Sequence, residues 1–114
     1  MNEKRLEQLK DDFDDAWKKL AIDEKVSDVE KLEKEVANPD IWKDSDSARE
    51  KNETLSHLKD FVADWQILKT QINDISELLN LGEDDLNDEI EVQLSAMENK
   101  LTELKKIFTF YRTI

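Results

Sequence analysis

The sequence predicts an all-α protein, an elongated antiparallel bundle of three to four helices with one long central helix. Three observations predict this fold class. Apolar residues recur every three or four positions along most of the chain, as they do on one face of an α-helix. The 114 residues include one Gly and one Pro, which leaves little turn chemistry for a β fold. Charged residues make up 40% of the chain, a composition typical of long helices.

The composition also excludes several classes of function. Without Cys, the chain has no disulfide, thiolate zinc site or cysteine nucleophile. A single Gly is too few for the glycine-rich loops that bind nucleotide phosphates. The formal net charge of −12 repels nucleic acid, so we expect no direct nucleic-acid binding. No apolar run is long enough to cross a membrane, and the default expectation is one cytoplasmic domain covering residues 1–114.

Two helices are predicted before the first turn signal, at roughly 2–21 and 22–37. Neither Gly nor Pro separates them, so the sequence leaves open whether they form one helix or break near Ala21–Asp23. If they break, Asp23 is a candidate N-cap. The apolar face of the first helix consists of Leu6, Leu9, Phe13, Ala16 or Trp17, and Leu20, and that of the second of Ile22, Val26, Val29, Leu32 and Val36.

A short connector follows the second helix. Pro39 disfavours helical backbone at Asn38, so the helix should end by that residue. Ile41 and Trp42 are large and apolar, and we expect them to fold back and plug the end of the bundle, so that Trp42→Ala costs roughly 3–5 kcal/mol. The alternative is an exposed Trp42 that contacts a partner.

The long central helix is predicted at 45–81, with Asp44, Ser45 or Ser47 as its N-cap and a possible capping box at Ser47–Glu50. Some 35 residues of helix span roughly 50 Å, which is why the predicted bundle is elongated. Its core face is predicted to include Leu55, Leu58, Val62, Trp65, Ile72 and Leu79.

A turn and one further helix complete the predicted fold. Gly82 lies where a left-handed C-cap is expected, and the last helix is predicted at 86–112. The chain ends in an apolar, aromatic run from Ile107 to Ile114, which suggests a piece of a longer chain and also suits the start of a strand. The core residues predicted on this helix are Ile90, Leu94, Met97, Leu101 and Leu104, with Phe108 and Tyr111 continuing the same spacing.

The sequence offers no convincing catalytic or metal-binding group. The single His57 is predicted on a solvent face of the central helix, where one imidazole makes a poor metal site. The carboxylates around Phe13 are expected to be solvated, because no Gly-containing loop gathers them around a cation. We therefore expect a non-enzyme with no cofactor and no bound metal.

The segment from Val29 to Asp44 resembles the N-terminal domain of bacterial class I peptide chain release factors, most closely the release factor 2 family. The shared pattern is an acidic helix, a Pro-Asp-aliphatic-Trp element, an acid and a long helix. The likeness covers essentially the whole chain and is strongest over residues 25–81. Its most specific part, which we expect to have a structural role, is Asn38, Pro39, Asp40, Ile41 and Trp42.

This resemblance implies a role in translation termination. Members of the family recognise stop codons on the ribosome and trigger hydrolysis of peptidyl-tRNA through a Gly-Gly-Gln loop in a later domain. Neither that loop nor the codon-reading Ser-Pro-Phe tripeptide occurs here, so no catalytic residue carries over. In the family the N-terminal domain projects toward the base of the ribosomal stalk. The implied partners are stalk-base proteins and the remaining domains of the same factor.

Two other hypotheses compete with this one. A stand-alone helical adaptor or coiled-coil module would form a stable dimer in solution, and its reading frame would stop at Ile114. A fragment of a release factor would instead continue into a segment that encodes Gly-Gly-Gln. A metal-dependent enzyme that uses His57 would melt differently with divalent cations, or after His57→Ala.

Overall fold

The computed structural model describes residues 2–82 and 84–113, with the side chains of all of these except 84 and 107–113. The described residues form four α-helices and no strand, which confirms the predicted all-α class. A short 3-10 turn at Pro39–Lys43 precedes the third helix, and another at Asp84–Leu86 precedes the fourth. Phe108 and Tyr111 lie outside the described side chains. The helices are α1 (Asn2–Lys19), α2 (Ile22–Ala37), α3 (Ser45–Asn80) and α4 (Asn87–Thr113).

The first two helices are separate, which settles a point that the sequence leaves open. Ala21 adopts the left-handed conformation, with φ 52° and ψ 49°, and this reverses the helical backbone for one residue. The last turn of α1 closes with the Leu20 N–H donating to the Ala16 carbonyl at 2.9 Å. The suggested cap at Asp23 is wrong, because α2 begins at Ile22 without a side-chain cap.

The two ends of α3 are fixed by different devices. At its start, the backbone N–H of Ser47 donates to Asp44 Oδ1 at 3.3 Å, so Asp44 is the cap among the candidates. At its end, Gly82 has φ 69°, the predicted left-handed conformation, and its N–H donates to the Leu79 carbonyl at 3.1 Å. Only Gly takes this conformation without a steric penalty.

The chain divides into two compact units. We call Met1–Leu20 with Trp65–Ile114 the bundle unit, and Ala21–Asp64 the hairpin unit. Helix α3 contributes its C-terminal part to the first unit and its N-terminal part to the second.

Three helical segments form the bundle unit around a continuous apolar core. Phe13 of α1 lies 5.7 Å from Trp65 of α3, measured between ring centroids, and 5.5 Å from Trp17. Trp65 itself is completely buried. The buried core of this unit consists of Leu6, Leu9, Phe13, Ala16, Leu20, Trp65, Leu68, Ile72, Ile75, Ile90, Leu94, Met97, Leu101 and Leu104.

Polar contacts at the edge of this core give the directions of the helices. Lys10 Nζ donates to Ser76 Oγ at 2.9 Å, whereas Phe13 lies against Trp65, so α1 and α3 run antiparallel. Arg5 of α1 pairs with Glu98 of α4 and donates to Ser95 Oγ at 3.0 Å. Asn2 Nδ2 donates to the carbonyl of Asn87 at 3.3 Å, so α1 and α4 run parallel.

The hairpin unit consists of α2, the connector and the first part of α3, and its core is small. Its fully buried apolar residues are Ile22, Ala48, Leu55 and Val62. Two helices cannot enclose an apolar stripe, because each has one neighbour within the hairpin. The remaining stripe positions are therefore only half-buried, namely Val26, Val29, Leu32, Val36, Leu58 and Phe61.

Two residues predicted in the core are not fully buried. Leu58 is half-buried because it lies on the hairpin part of α3, where α2 is its only neighbour within the unit. Leu79 is half-buried because it lies in the last turn of α3, at the rim of a surface groove that Leu6 also lines. The other nine predicted core positions are buried: Leu55, Val62, Trp65, Ile72, Ile90, Leu94, Met97, Leu101 and Leu104.

Candidate interaction surface

His57 is exposed on α3. Within residues 2–82 and 84–113, no three His, Asp or Glu side chains come together as a metal site. None of the described helices is both long and apolar enough to cross a membrane. The described surface offers grooves and an exposed aromatic residue that another macromolecule can contact.

The bundle unit offers two grooves between α1 and α3. One is lined by Leu6, Lys10, Ser76 and Leu79, and the Lys10–Ser76 hydrogen bond crosses it. Glu3 lies at its edge, and the pKa of that carboxyl is below its usual value because the group accepts a hydrogen bond from its own backbone N–H. The second groove is lined by Lys10, Phe13, Asp14, Lys69, Ile72 and Asn73.

The backbone of the connector in the hairpin unit is fixed by hydrogen bonds between its own residues. Asn38 is extended, with φ −77° and ψ 121°, as expected before a proline. Its Oδ1 accepts a hydrogen bond from the Asp40 N–H at 3.1 Å, and its carbonyl accepts one from the Ile41 N–H at 3.2 Å. These bonds close the 3-10 turn that carries Trp42.

Trp42 lies on the surface, so the prediction that it plugs the end of a bundle is wrong. Its side chain is 52% exposed, and only one edge of the indole is engaged, where Nε1 donates to the Val36 carbonyl at 3.1 Å. Ile41 is half-buried. The reason is geometric: the 3-10 turn directs Trp42 back along the end of α2, where its Nε1 reaches the Val36 carbonyl. The alternative of a surface Trp42 is the one that the structure supports.

Two partly exposed ion pairs join the arms of the hairpin unit and contribute little to its stability. Lys51 Nζ lies 3.3 Å from Glu35 Oε2, and Lys59 Nζ lies 3.9 Å from Glu33 Oε1, so each pair joins α3 to α2. Residues 21–64 contain thirteen acidic and seven basic residues, so the unit carries a formal charge of −6. A surface of this sign suits a cationic partner and repels nucleic acid.

The Asn38–Trp42 element thus combines the three properties that an interaction surface needs: a fixed backbone, an exposed aromatic ring and surrounding charge. Sequence reasoning identified the element but not the exposure of Trp42. The signal that was present is its setting: Asp40, Lys43 and Asp44 flank the Trp on both sides, a pattern typical of surface positions.

Comparison with known proteins agrees with the resemblance to release factors. The model of the PCRF domain family matches residues 25–111, a stretch that includes the connector. Peptide chain release factor 2 of Thermomicrobium roseum is 37% identical over 93 residues, which cover 82% of this chain and 25% of the relative.

Two further relatives show the same pattern. Peptide chain release factor 2 of Petrotoga mobilis is 27% identical over 99 residues, and that of Borreliella burgdorferi is 29% identical over 98 residues. Each alignment covers 85% of this chain and 27% of the relative. The chain therefore spans about a quarter of the length of the curated relatives it matches. No solved structure matches it.

Proposed function

Because this chain belongs to the PCRF domain family, we propose that it serves as the N-terminal helical domain of a bacterial peptide chain release factor in translation termination. The observation that carries the proposal is the family match over residues 25–111, which includes the connector and most of α4. The relatives named peptide chain release factor 2 support the same assignment.

In this proposal the domain positions the factor and takes no part in the hydrolysis of peptidyl-tRNA. The 114 residues contain a single Gly and therefore no Gly-Gly-Gln sequence, the loop that the family uses to promote hydrolysis. The domain holds the factor on the ribosome near the stalk base, in the cytoplasm. The remaining domains of the same factor read the stop codon and promote release of the peptide.

The partner proposed for the domain surface is protein rather than ribosomal RNA. The net charge of −12 disfavours contact with phosphates, since a nucleic-acid interface needs clustered Lys and Arg. We assign the contact to the connector of the hairpin unit, where Trp42 is exposed. Tryptophan residues commonly supply much of the binding free energy in protein interfaces.

A reconstituted termination reaction tests this function. A release factor that carries this domain is compared with the same factor lacking residues 1–114, on ribosomes with a stop codon in the decoding site. We expect the deletion to raise the KM for ribosomes about tenfold, equivalent to about 1.4 kcal/mol of binding, and to leave the maximal rate of release nearly unchanged. On ribosomes that lack the stalk-base proteins, the intact factor and the deletion variant should have the same KM.

The proposal fails if the deletion lowers the maximal rate with no change in KM, because the domain would then act in the chemical step. It also fails if the loss in KM persists on ribosomes without stalk-base proteins, since the contact would then lie elsewhere.

A further inference from the structure

We propose that the indole ring of Trp42 is the docking point for an arginine side chain on a basic segment of the partner protein. The inference rests on the proposed function, because it names the chemistry of the protein that the connector contacts. It is carried by the fixation of the ring, by a comparison with the other aromatic rings of this chain, and by the charges around the connector.

The ring of Trp42 is exposed and yet held in place. Its Nε1 atom donates to the Val36 carbonyl at 3.1 Å, which fixes one edge, while 52% of the side chain remains accessible. The 3-10 turn that carries the ring is itself fixed by the hydrogen bond from the Asp40 N–H to Asn38 Oδ1. A side chain that is ordered before binding loses less conformational entropy when a partner docks on it.

Other aromatic rings in this chain already carry a cation. Lys69 Nζ lies 4.8 Å from the ring centroid of Trp17, and Lys25 Nζ lies 6.0 Å from that of Phe61. Both distances are in the range of cation–π attraction. In the part of the chain that the structure describes, no Lys or Arg covers the ring of Trp42. Of the rings of Trp17, Phe61 and Trp42, that of Trp42 is the most exposed and has no cation from this chain above it. A cationic side chain of a partner can therefore bind there.

The charges around Trp42 favour a cation as well. Asp40, Asp44 and Asp46 lie within four residues of Trp42, with Lys43 as the one base among them. Lys43 Nζ lies 3.6 Å from Asp40 Oδ1, and both side chains are about four-fifths exposed, so this pair is weak. A second copy of the chain would bring another charge of −6 to the hairpin unit, which argues against self-association at this surface.

Arginine fits this combination better than lysine does. Its planar guanidinium stacks on an indole face and still presents N–H groups at its edge to nearby carboxylates. An ammonium group is a more strongly hydrated point charge and gains less from the ring face. The expected occupant is therefore a protein segment with arginine next to apolar residues that contact Ile41.

Peptide titration of this chain tests the inference. The probe is a helical amphipathic peptide with arginines on one face, used beside versions of the same sequence with lysine or with neutral citrulline. The readout is the indole N–H signals in nuclear magnetic resonance spectra, with Trp42 assigned from the Trp42→Phe variant. We expect the arginine peptide to shift the Trp42 signal, the lysine peptide to bind about threefold more weakly, and the citrulline peptide not to bind.

Variants separate the ring from the charge. Trp42→Leu should weaken binding of the arginine peptide about fivefold, while Trp42→Phe should retain most of it because an aromatic face is kept. Isothermal titration calorimetry measures these affinities, because neither variant keeps the Trp42 indole N–H. The matched control is Ile67→Ala on α3, a residue of similar exposure at 56%, which should leave the affinity unchanged. Circular dichroism melting curves check that each variant remains folded.

Three outcomes would overturn the inference. Equal affinity for the arginine and lysine peptides, unchanged by Trp42→Leu, would mean that charge alone drives binding. A shift of the Trp42 signal by a single-stranded oligonucleotide would indicate a nucleic-acid partner. A shift that grows with protein concentration in the absence of peptide would indicate a second copy. Because the titration contains no ribosomes, its failure would leave the KM effect expected on ribosomes untouched, and the absence of that KM effect would leave the peptide titration untouched.

Discussion

The bundle unit and the hairpin unit are built from the same kind of amphipathic helix, but they bury their apolar stripes to different extents. Among the described side chains, fourteen apolar residues are buried in the bundle unit, against four in the hairpin unit, although the second is nearly two-fifths of the chain. In the bundle unit each stripe faces two other helices. In the hairpin unit each faces one. The number of neighbouring helices, rather than the hydrophobicity of a stripe, therefore decides how much of it becomes core.

The tryptophans make the same comparison at single residues. Trp65 is completely buried against Phe13, whereas Trp42 is 52% exposed on a turn. Burial of a large ring supplies stability, whereas exposure of a fixed ring supplies a contact surface. The two units thus divide the work: the bundle unit contributes stability, and the hairpin unit carries the proposed recognition.

The largest expected effect is the loss of Trp65. Trp65→Ala should lower the free energy of unfolding by about 3–5 kcal/mol, because it leaves a cavity against Phe13 where the side chain is completely buried. Urea denaturation followed by circular dichroism measures this change. A cost below about 1 kcal/mol would mean that the bundle unit is not the more stable part, and the comparison between the units would collapse.

A matched pair of leucines on the two units sharpens the comparison. Leu94→Ala in the bundle unit, where the side chain is fully buried, should cost about 4 kcal/mol. Leu55→Ala in the hairpin unit should cost about 2 kcal/mol, because the site can collapse toward solvent between two helices. The measurement is again urea denaturation, with both variants in the same buffer. Equal costs would show that the hairpin is packed as tightly as the bundle.

Periodicity in the sequence is a good guide to the helices and a poorer guide to their burial. The stripe on α3 predicts helical structure from Leu55 to Leu79, and the helix is observed. The same stripe cannot say that Leu58 faces one helix while Ile72 faces two, because spacing specifies a face and not its neighbours. Leu58 and Leu79 were therefore placed in the core with the rest.

The sequence predicts the position of the candidate site correctly, but it predicts a buried Trp42 where the ring is exposed. Pro39 ends α2 by restricting its neighbour, a local effect that the sequence alone reveals. Whether Trp42 turns inward or outward depends on a hydrogen bond to Val36 and on the absence of a third helix in the hairpin, which are tertiary properties. The sequence also leaves the break at Ala21 open, because a left-handed alanine carries no compositional signal.

A smaller effect is expected at Trp42. Trp42→Ala should lower the free energy of unfolding by about 1 kcal/mol, since one hydrogen bond and a partly buried ring are lost. The same denaturation experiment, run beside Trp65→Ala, gives the contrast directly. A cost of about 3 kcal/mol or more would return Trp42 to a core role and would remove the physical basis for an exposed arginine-binding ring.

The smallest expected effect is a gain in stability at the left-handed residue Ala21. A left-handed alanine costs about 1–2 kcal/mol, while glycine adds about 0.5–1 kcal/mol of conformational entropy to the unfolded chain. Ala21→Gly should therefore stabilise the chain by about 0.5 kcal/mol, visible as a small rise in the urea midpoint. The reciprocal control is Gly82→Ala, which should destabilise by a similar amount because φ is 69° there. No neighbouring atom lies within 4 Å of the added methyl group, so the cost is backbone strain alone. If both substitutions destabilise, Ala21 contributes packing that outweighs its strain, and the start of the hairpin unit is then more firmly held than its half-buried stripe suggests.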